Sequence, residues 1–468
     1  MATNYSGKTR IESDLIGELE VPVEALYVVQ TLRGIENFPI SRFHLSDYPL
    51  FINGLAMTKL GAAEANHQLG LLTDEQFDAI SKACLEIMQG QHHDQFPCDM
   101  IQGGAGTTAN MTANEVIANR AIEILGGVKG DYSIVHPNDH VNRAQSTNDV
   151  FPSAAKMTAA KLLKKAIAEM VRLEAALAVK EEEFHDIIKM GRTQMQDAVP
   201  IRLGSEFGAY KLAVRRDIAR LNIALEGMYG VNMGGTAVGT ALNANPKYVE
   251  ALAPELAKIS GLPLYKAECL IDGTQNLDAY AYVSAALKTA AISLSKMSND
   301  FRLMSSGPRC GFQEINLPGK QNGSSIMPGK VNPVIPEVMS QVAFNIIGND
   351  MTITMAAEAG QLELNAFEPI IFYCIFQSIS TLTQAIRTFI DNCVIGITAN
   401  ETRCRYLVEN SVGIITAICP HVGYQKAADI AKKALKTGES VRTLILEENL
   451  LTAEEMELIL DPFQMTAP

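Results

Sequence analysis

Along three stretches in the middle of the chain, apolar residues recur at steps of three, four or seven. In 153–190 these are Leu163, Ile167, Met170, Leu173, Leu177, Phe184 and Ile188. In 204–229 they are Phe207, Tyr210, Val214, Ile218, Leu221, Leu225 and Met228, and in 277–305 Tyr280, Val283, Leu287, Leu294, Met297, Phe301 and Met304. A repeat near 3.6 residues places each set on one helical face. The first pattern predicts a helix of about 35 residues, roughly 50 Å long at 1.5 Å per residue. Helices that long hold in water by burying a face against one another, so the chain reads as mainly α with a central long-helix bundle. Several carry apolar residues on more than one face, which predicts association of whole chains through the bundle.

Composition agrees with helix over sheet: aromatics make up 6% and Trp is missing. A length of 468 residues exceeds one ordinary core. We expect an N-terminal mixed, mostly helical domain at 1–147, the bundle at 148–398, and a small helical C-terminal domain at 399–468. The first holds shorter patterns at 50–70 and 73–90 and the Gly-rich 102–108. In the last, Thr452 with Glu455 three residues on predicts a capped terminal helix. The net charge of −13 argues against nucleic acid or an anionic membrane as partner. A small anionic substrate remains compatible, because a local cluster overrides the mean field. The eight Cys form no CxxC pair and read as buried thiols in a reducing compartment. The N-terminus has no apolar signal core and no run of about 18 apolar residues occurs, so a cytoplasmic chain without a membrane span is expected.

Four irregular stretches interrupt the helical background: "QGGAGTTANMTANEV" (102–116), "HPNDHVNRAQSTND" (136–149), "MGRTQMQDAVP" (190–200) and "GSSIMPGKVNP" (323–333). Each sets Ser or Thr beside Gly, Asn or Gln. Taken singly, Thr107, Ser146, Thr147, Thr193 and Ser324 read as helix caps for orphan N–H groups. Taken together, hydroxyls, free N–H groups and helix N-termini make an anion site, with Lys330 adding one positive charge. Such a site suits a small carboxylate that gains charge in a transition state. No Ser/His/Asp order and no P-loop occur, and Gly103–Gly106 follow no predicted strand, so a nucleotide site is unsupported. His136 and His140 flank Asp139 at a metal-like spacing, but Pro137 and the asparagines predict a loop.

These stretches resemble the signature segments of the fumarase/aspartase superfamily, and 323–333 resembles its mobile loop, "GSSxMPxKxNP". The likeness runs through nearly the whole chain, in "RIESDLIGELEVPVEAL", "TLRGIENF", "MGGTAVGTALN", "SSGPRCGFQEINLP", "GNDMTITMAAEAGQLELN" and "SVRTLILEENLLT". "FPCDMIQGGAGT", "GPRCGFQEINLPG" and "GRTQMQDAVP" lie nearer the aspartase branch, and Gln194 stands where fumarases typically carry His. The resemblance implies a three-domain, mainly α fold and a homotetramer whose composite active sites draw loops from three subunits. It implies no cofactor and no catalytic metal. The implied reaction is reversible loss of ammonia from L-aspartate to give fumarate. Ser324 would take the Cβ proton through an aci-carboxylate, with Lys330 stabilising its alkoxide. Thr107, Ser146, Thr147 and Ser325 would hold the β-carboxylate. Thr193, Lys330 and Asn332 would hold the α-carboxylate, and Asn148 and Gln194 would contact the amine. Glu337 matches a glutamate that orients the His of relatives. The "HPNDHVN" segment resembles a secondary anion-binding region. Arg33 and Lys59 match basic residues tied to aspartase activity; as residues alone they read equally as surface cations. The chain departs from the pattern at Val28 or Val29, where glycine is usual, at Thr112 for Asn, and at Thr108 for Ser. Hydration of the same product, a larger succinyl substrate and a catalytically silent scaffold are the alternatives. Gln194 disfavours the first, the match outside the loop the second, and retention of Ser324, Lys330 and Asn332 the third.

Overall fold

The computed structural model describes residues 5–466, and helices dominate them. Residues 1–4 and 467–468, the outer ends of the expected first and last domains, lie outside the described residues. The three long periodic patterns form the helices Thr147–Glu183, Leu203–Glu226 and Asp278–Met304, with 37, 24 and 27 residues. Two more long helices, Val334–Glu358 and Glu368–Asn392, follow them. The second of these is long and apolar enough to cross a membrane, but 67% of its apolar stretch is buried in the protein. It is a core helix, with Phe372, Phe376, Ile379, Ile386 and Phe389 all at 0% exposure.

The first long helix ends at Glu183, short of the end its apolar pattern predicts. Ile188 instead opens a strand, Ile188–Thr193, paired antiparallel with Gln196–Arg202. Ile187, Ile188, Val199 and Ile201 are β-branched and suit a pleated surface better than a helix. The expected loop at 190–200 is therefore a β-hairpin.

The chain forms two compact units. One comprises the chain to Ala166, Arg220–Lys288 and Asn345–Ser380. Its core holds Phe51, Phe151, Tyr280, Phe372 and Phe376, with ring centroids 4.9 to 6.2 Å apart. The other comprises Ile167–Ala219, Thr289–Phe344 and Thr381 onward. Here Phe184, Phe207, Tyr210, Phe301 and Phe389 stack edge-on or face-on. A separate apolar cluster in this unit joins Met190 to Ile414, Ile418, Ile430, Leu444, Ile445 and Met456. Thr452 forms the expected capping box: its hydroxyl accepts from the Glu455 N–H at 3.2 Å and its own N–H donates to the Glu455 carboxylate at 2.8 Å. A short helix, Pro462–Met465, lies beyond, so the capped helix is not the last.

One further expectation is revised. Five cysteines are buried, but Cys269 and Cys310 are exposed and Cys419 is half-buried. Apolar side chains also face outward on the Val334–Glu358 helix, where Phe344, Met351 and Met355 are 61 to 65% exposed.

Candidate active site

In the first unit, the "HPNDHVN" segment is not a loop. It forms one helical turn, Pro137–Val141, with proline at its start. His136 Nδ1 accepts from the N–H groups of Asn138 and Asp139, both at 3.1 Å, and His140 Nδ1 accepts from the His136 N–H at 2.8 Å. Burial lowers the His140 pKa, in the direction that favours an accepting ring nitrogen.

Ser146 then caps the Thr147–Glu183 helix. Its hydroxyl accepts from the Asn148 N–H at 3.2 Å, and its own N–H donates to Asp149 at 3.1 Å. Thr147 is the first helical residue. Its hydroxyl accepts from the Asn110 amide at 3.1 Å. Asn110 lies one turn into the Thr107–Ile124 helix, so the starts of two helices are joined there. The N-cap of that second helix is Gly106, at φ 85°, where a Cβ would lie 2.4 Å from the Phe151 ring. Thr107 is therefore no cap. It is exposed, and its hydroxyl donates to the Gly104 carbonyl at 2.7 Å.

Beneath these helix starts lies Lys59, which is fully buried and no surface cation. Its ammonium donates to Asn110 Oδ1 at 2.6 Å, Asn142 Oδ1 at 2.9 Å and Gln145 Oε1 at 3.0 Å. A lysine can only donate, so it fixes the carbonyl end of the Asn110 amide toward itself. The NH2 end then faces Thr147, whose hydroxyl accepts it and keeps its own proton free to donate. Burial pulls the Lys59 pKa down to about 7, against the charge of Asp149. Arg33 is not a free surface cation either: it grips Asp14 through two contacts of 2.9 Å and reaches the Gly17 carbonyl.

The departures from the family pattern fall in one buried knot. Thr112 bonds Thr31 Oγ1 at 2.9 Å and the Thr108 carbonyl at 2.8 Å. Glu115 accepts from the N–H groups of Val28 and Gln30 and from the Thr31 hydroxyl, at 2.6 to 2.9 Å. This carboxylate supplies the cap that Val28 cannot give the Val29–Asn37 helix. The methyl of Thr108 fits because residue 34 is glycine: a Cβ there would sit 2.2 Å from it.

In the second unit, Thr193 and Gln194 lie at the tip of the hairpin. Gln194 and Met195 form a two-residue turn with φ of 52° and 65°, the pattern of a type I′ turn made without glycine. Thr193 caps no helix; both it and Gln194 are exposed. The hairpin is held from below. Arg192 bonds buried Glu314 at 2.7 Å and lies 4.0 Å over the Phe312 ring, and Lys189 bridges Glu206 at 2.9 Å and Glu314 at 3.1 Å. Burial works to lower the Lys189 pKa, but the two glutamates outweigh it and hold the pKa raised.

The 323–333 loop closes on itself. The Gly323 N–H donates to the Lys330 carbonyl at 2.7 Å, and the Asn332 amide donates to the Gly323 carbonyl at 2.9 Å. Ser324 precedes no helix. Its Oγ accepts from the N–H groups of Ile326 and Met327 at 3.2 and 3.0 Å. Ser325 and Lys330 are exposed, and Lys330 has no ion-pair partner among the described residues.

Ser146, Thr147 and Asn148 thus stand together at one helix start, tied to the helix of Thr107. Thr193 and Gln194 share a hairpin tip. Ser324, Ser325, Lys330 and Asn332 share the loop. Among the described residues no hydrogen bond joins the hairpin tip to the loop, or Glu337 to Gln194. Reading the sequence missed Asn110, Asn142, Gln145, Asp149 and Glu314, the groups that orient the others. The density of amides in "VNRAQSTND" was the available signal.

A family model described as Lyase matches residues 17–348, and one described as Fumarase C C-terminus matches 414–467. The aspartate ammonia-lyase of Bacillus subtilis is 52% identical over 465 residues, covering 99% of this chain and 98% of that protein. The aspartate ammonia-lyase of Escherichia coli is 47% identical over 453 residues, covering 97% and 95%. Among solved structures, a fumarate lyase:delta crystallin from Brucella melitensis superposes with a TM-score of 0.96 at 48% identity, covering 98% of this chain and all of that one. A class II fumarase from Schistosoma mansoni superposes with a TM-score of 0.94 at 36% identity, covering the same shares.

Proposed function

The chain belongs to the fumarase/aspartase superfamily, with the aspartate ammonia-lyases, and from that premise we propose how it converts L-aspartate to fumarate and ammonia. The observation that carries the mechanism is the setting of Ser324. A serine hydroxyl is a weak base, and its alkoxide needs electrostatic support. Two backbone N–H groups already point at Ser324 Oγ, and the unpaired Lys330 is on the same loop. Both favour the charged form.

In this reading the Ser324 alkoxide takes a proton from Cβ of aspartate and becomes a neutral hydroxyl. The C–H electron pair moves into the β-carboxylate, which becomes an aci-carboxylate with two negative charges. Thr107, Ser146, Thr147 and Ser325 donate to it, aided by the helix dipoles behind them. Thr147 is prepared for this by Lys59 through Asn110. Thr193, Lys330 and Asn332 hold the α-carboxylate. The pair then returns to form the Cα–Cβ double bond, and the C–N bond breaks. An amine bound as ammonium leaves as ammonia without a further proton. Asn148 and Gln194, which cannot deliver one, suffice as its contacts. Loss of hydroxide from L-malate would need an acid at that place, and Gln194 is not one. This favours the ammonia-lyase reading over the hydratase.

The working assembly in this proposal is a homotetramer, with each active site drawing on three copies of the chain and with segments 1–147, 148–398 and 399–468 as its domains. The outward apolar residues Phe344, Met351 and Met355 support burial against other copies. The test is fumarate absorbance with purified protein and either L-aspartate or L-malate. Fumarate is expected from aspartate alone; fumarate from malate would overturn the assignment.

A further inference from the structure

We propose that Asp149, which touches no reacting atom in the reading above, is a positioning residue that sets which end of the Asn148 amide meets the substrate amine. The inference rests on Asn148 being an amine contact. Asp149 is fully buried. One carboxylate oxygen accepts from the N–H groups of Gly234 and Thr236 at 3.1 and 2.9 Å; the other accepts from the Ser146 N–H at 3.1 Å. It thereby clamps the loop "MGGTAVGTALN" (233–243) to the start of the Thr147–Glu183 helix.

That loop needs a clamp. Its backbone is left-handed at Gly234, Thr236, Gly239, Ala241 and Asn243, three of them without the freedom of glycine. At Gly239 a Cβ would lie 2.3 Å from the Ile271 backbone. The result is to deliver the Ala237 carbonyl to the Asn148 amide at 2.7 Å. A carbonyl can only accept, so the NH2 end of Asn148 must face Ala237. Oδ1 is then turned the other way, free to accept from an ammonium group. Released from the loop, the amide rotates, and its NH2 end meets the substrate ammonium as donor against donor.

The test is the reverse reaction, measured as KM for ammonium and KM for fumarate in the full-length wild type, Asn148→Ala, Asp149→Asn and the double variant, with assembly checked by ultracentrifugation. Loss of one oriented hydrogen bond to a charged group corresponds to about a tenfold rise in ammonium KM. Asp149→Asn is expected to show that rise with fumarate KM nearly unchanged, because its Oδ1 still accepts the Ser146 N–H while its NH2 end meets the Gly234 and Thr236 N–H groups as donor against donor and frees the loop alone. The double variant is expected to be no worse than Asn148→Ala, because Asp149 acts through Asn148. Equal rises in both KM values, or effects that multiply in the double variant, would show a merely structural role and overturn the proposal. If Asn148→Ala raises ammonium KM and Asp149→Asn does not, the clamp alone falls. If Asn148→Ala leaves ammonium KM unmoved, the amine assignment falls and takes the clamp with it. Should Asp149→Asn fail to assemble, Gly239→Ala keeps the carboxylate and both N–H donors and only displaces the loop, because its Cβ would meet the Ile271 backbone at 2.3 Å. A smaller rise in ammonium KM, of about threefold, is then expected, again absent in the Asn148→Ala background. No rise would overturn the proposal.

Discussion

Lys59 shows what a single residue hides in a sequence. A lysine in "AMTKLGAA" reads as a surface cation, yet the chain buries it completely beneath two helix starts. Its partners are three side-chain amides contributed from 110, 142 and 145, a contact no local pattern announces. Ser324, Lys330 and Asn332 stood out because "GSSIMPGKVNP" resembles the mobile loop of the superfamily. Burial leaves a thermodynamic trace. The folded pKa of Lys59 is about 7 against 10.5 for a free side chain. Between those values the unfolded chain holds a proton that the folded chain has shed, so stability rises with pH across that window. Below about 7 both states are charged and this dependence vanishes. Lys59→Met should abolish the rise, a difference on the order of a few kcal/mol between pH 7 and 10. Urea unfolding of both proteins at the two pH values checks this; parallel profiles would count against a Lys59 that loses its charge near neutrality.

The long helices were the most legible elements, because 3.6-residue periodicity over many turns has no competing explanation. The hairpin at 188–202 was the least. Its turn, Gln194-Met195, lacks the Asn-Gly that announces a type I′ turn, and Ile188 prolonged the helical period upstream. The strain of two non-glycine residues at positive φ persists because the surroundings hold the strands. Chief among these is Glu314, 122 residues from Arg192 in sequence and reached only by folding; it joins Arg192 and Lys189 beneath the hairpin. Glu314→Ala leaves two buried cations with one acceptor fewer. It is expected to cost about 3 kcal/mol, seen as a lower urea midpoint, and to weaken aspartate binding through Thr193 and Gln194. An unfolding free energy within about 0.5 kcal/mol of wild type, on the usual scale of surface changes, would show that the hairpin does not depend on it.

At the scale of the whole molecule, the sequence announced association through helices with more than one apolar face, and outward Phe344, Met351 and Met355 agree. If active sites need several copies of the chain, activity should fall with dilution as the assembly dissociates, and ultracentrifugation should show the two falling together. An active monomer would contradict that assembly. Whether Ser324 is the base is tested by fumarate production from L-aspartate by Ser324→Ala, with the oligomer verified intact. Turnover is expected to fall to trace levels, because no other described group is assigned to take the Cβ proton. Turnover near that of the wild type from a correctly assembled variant would show that Ser324 is not the base.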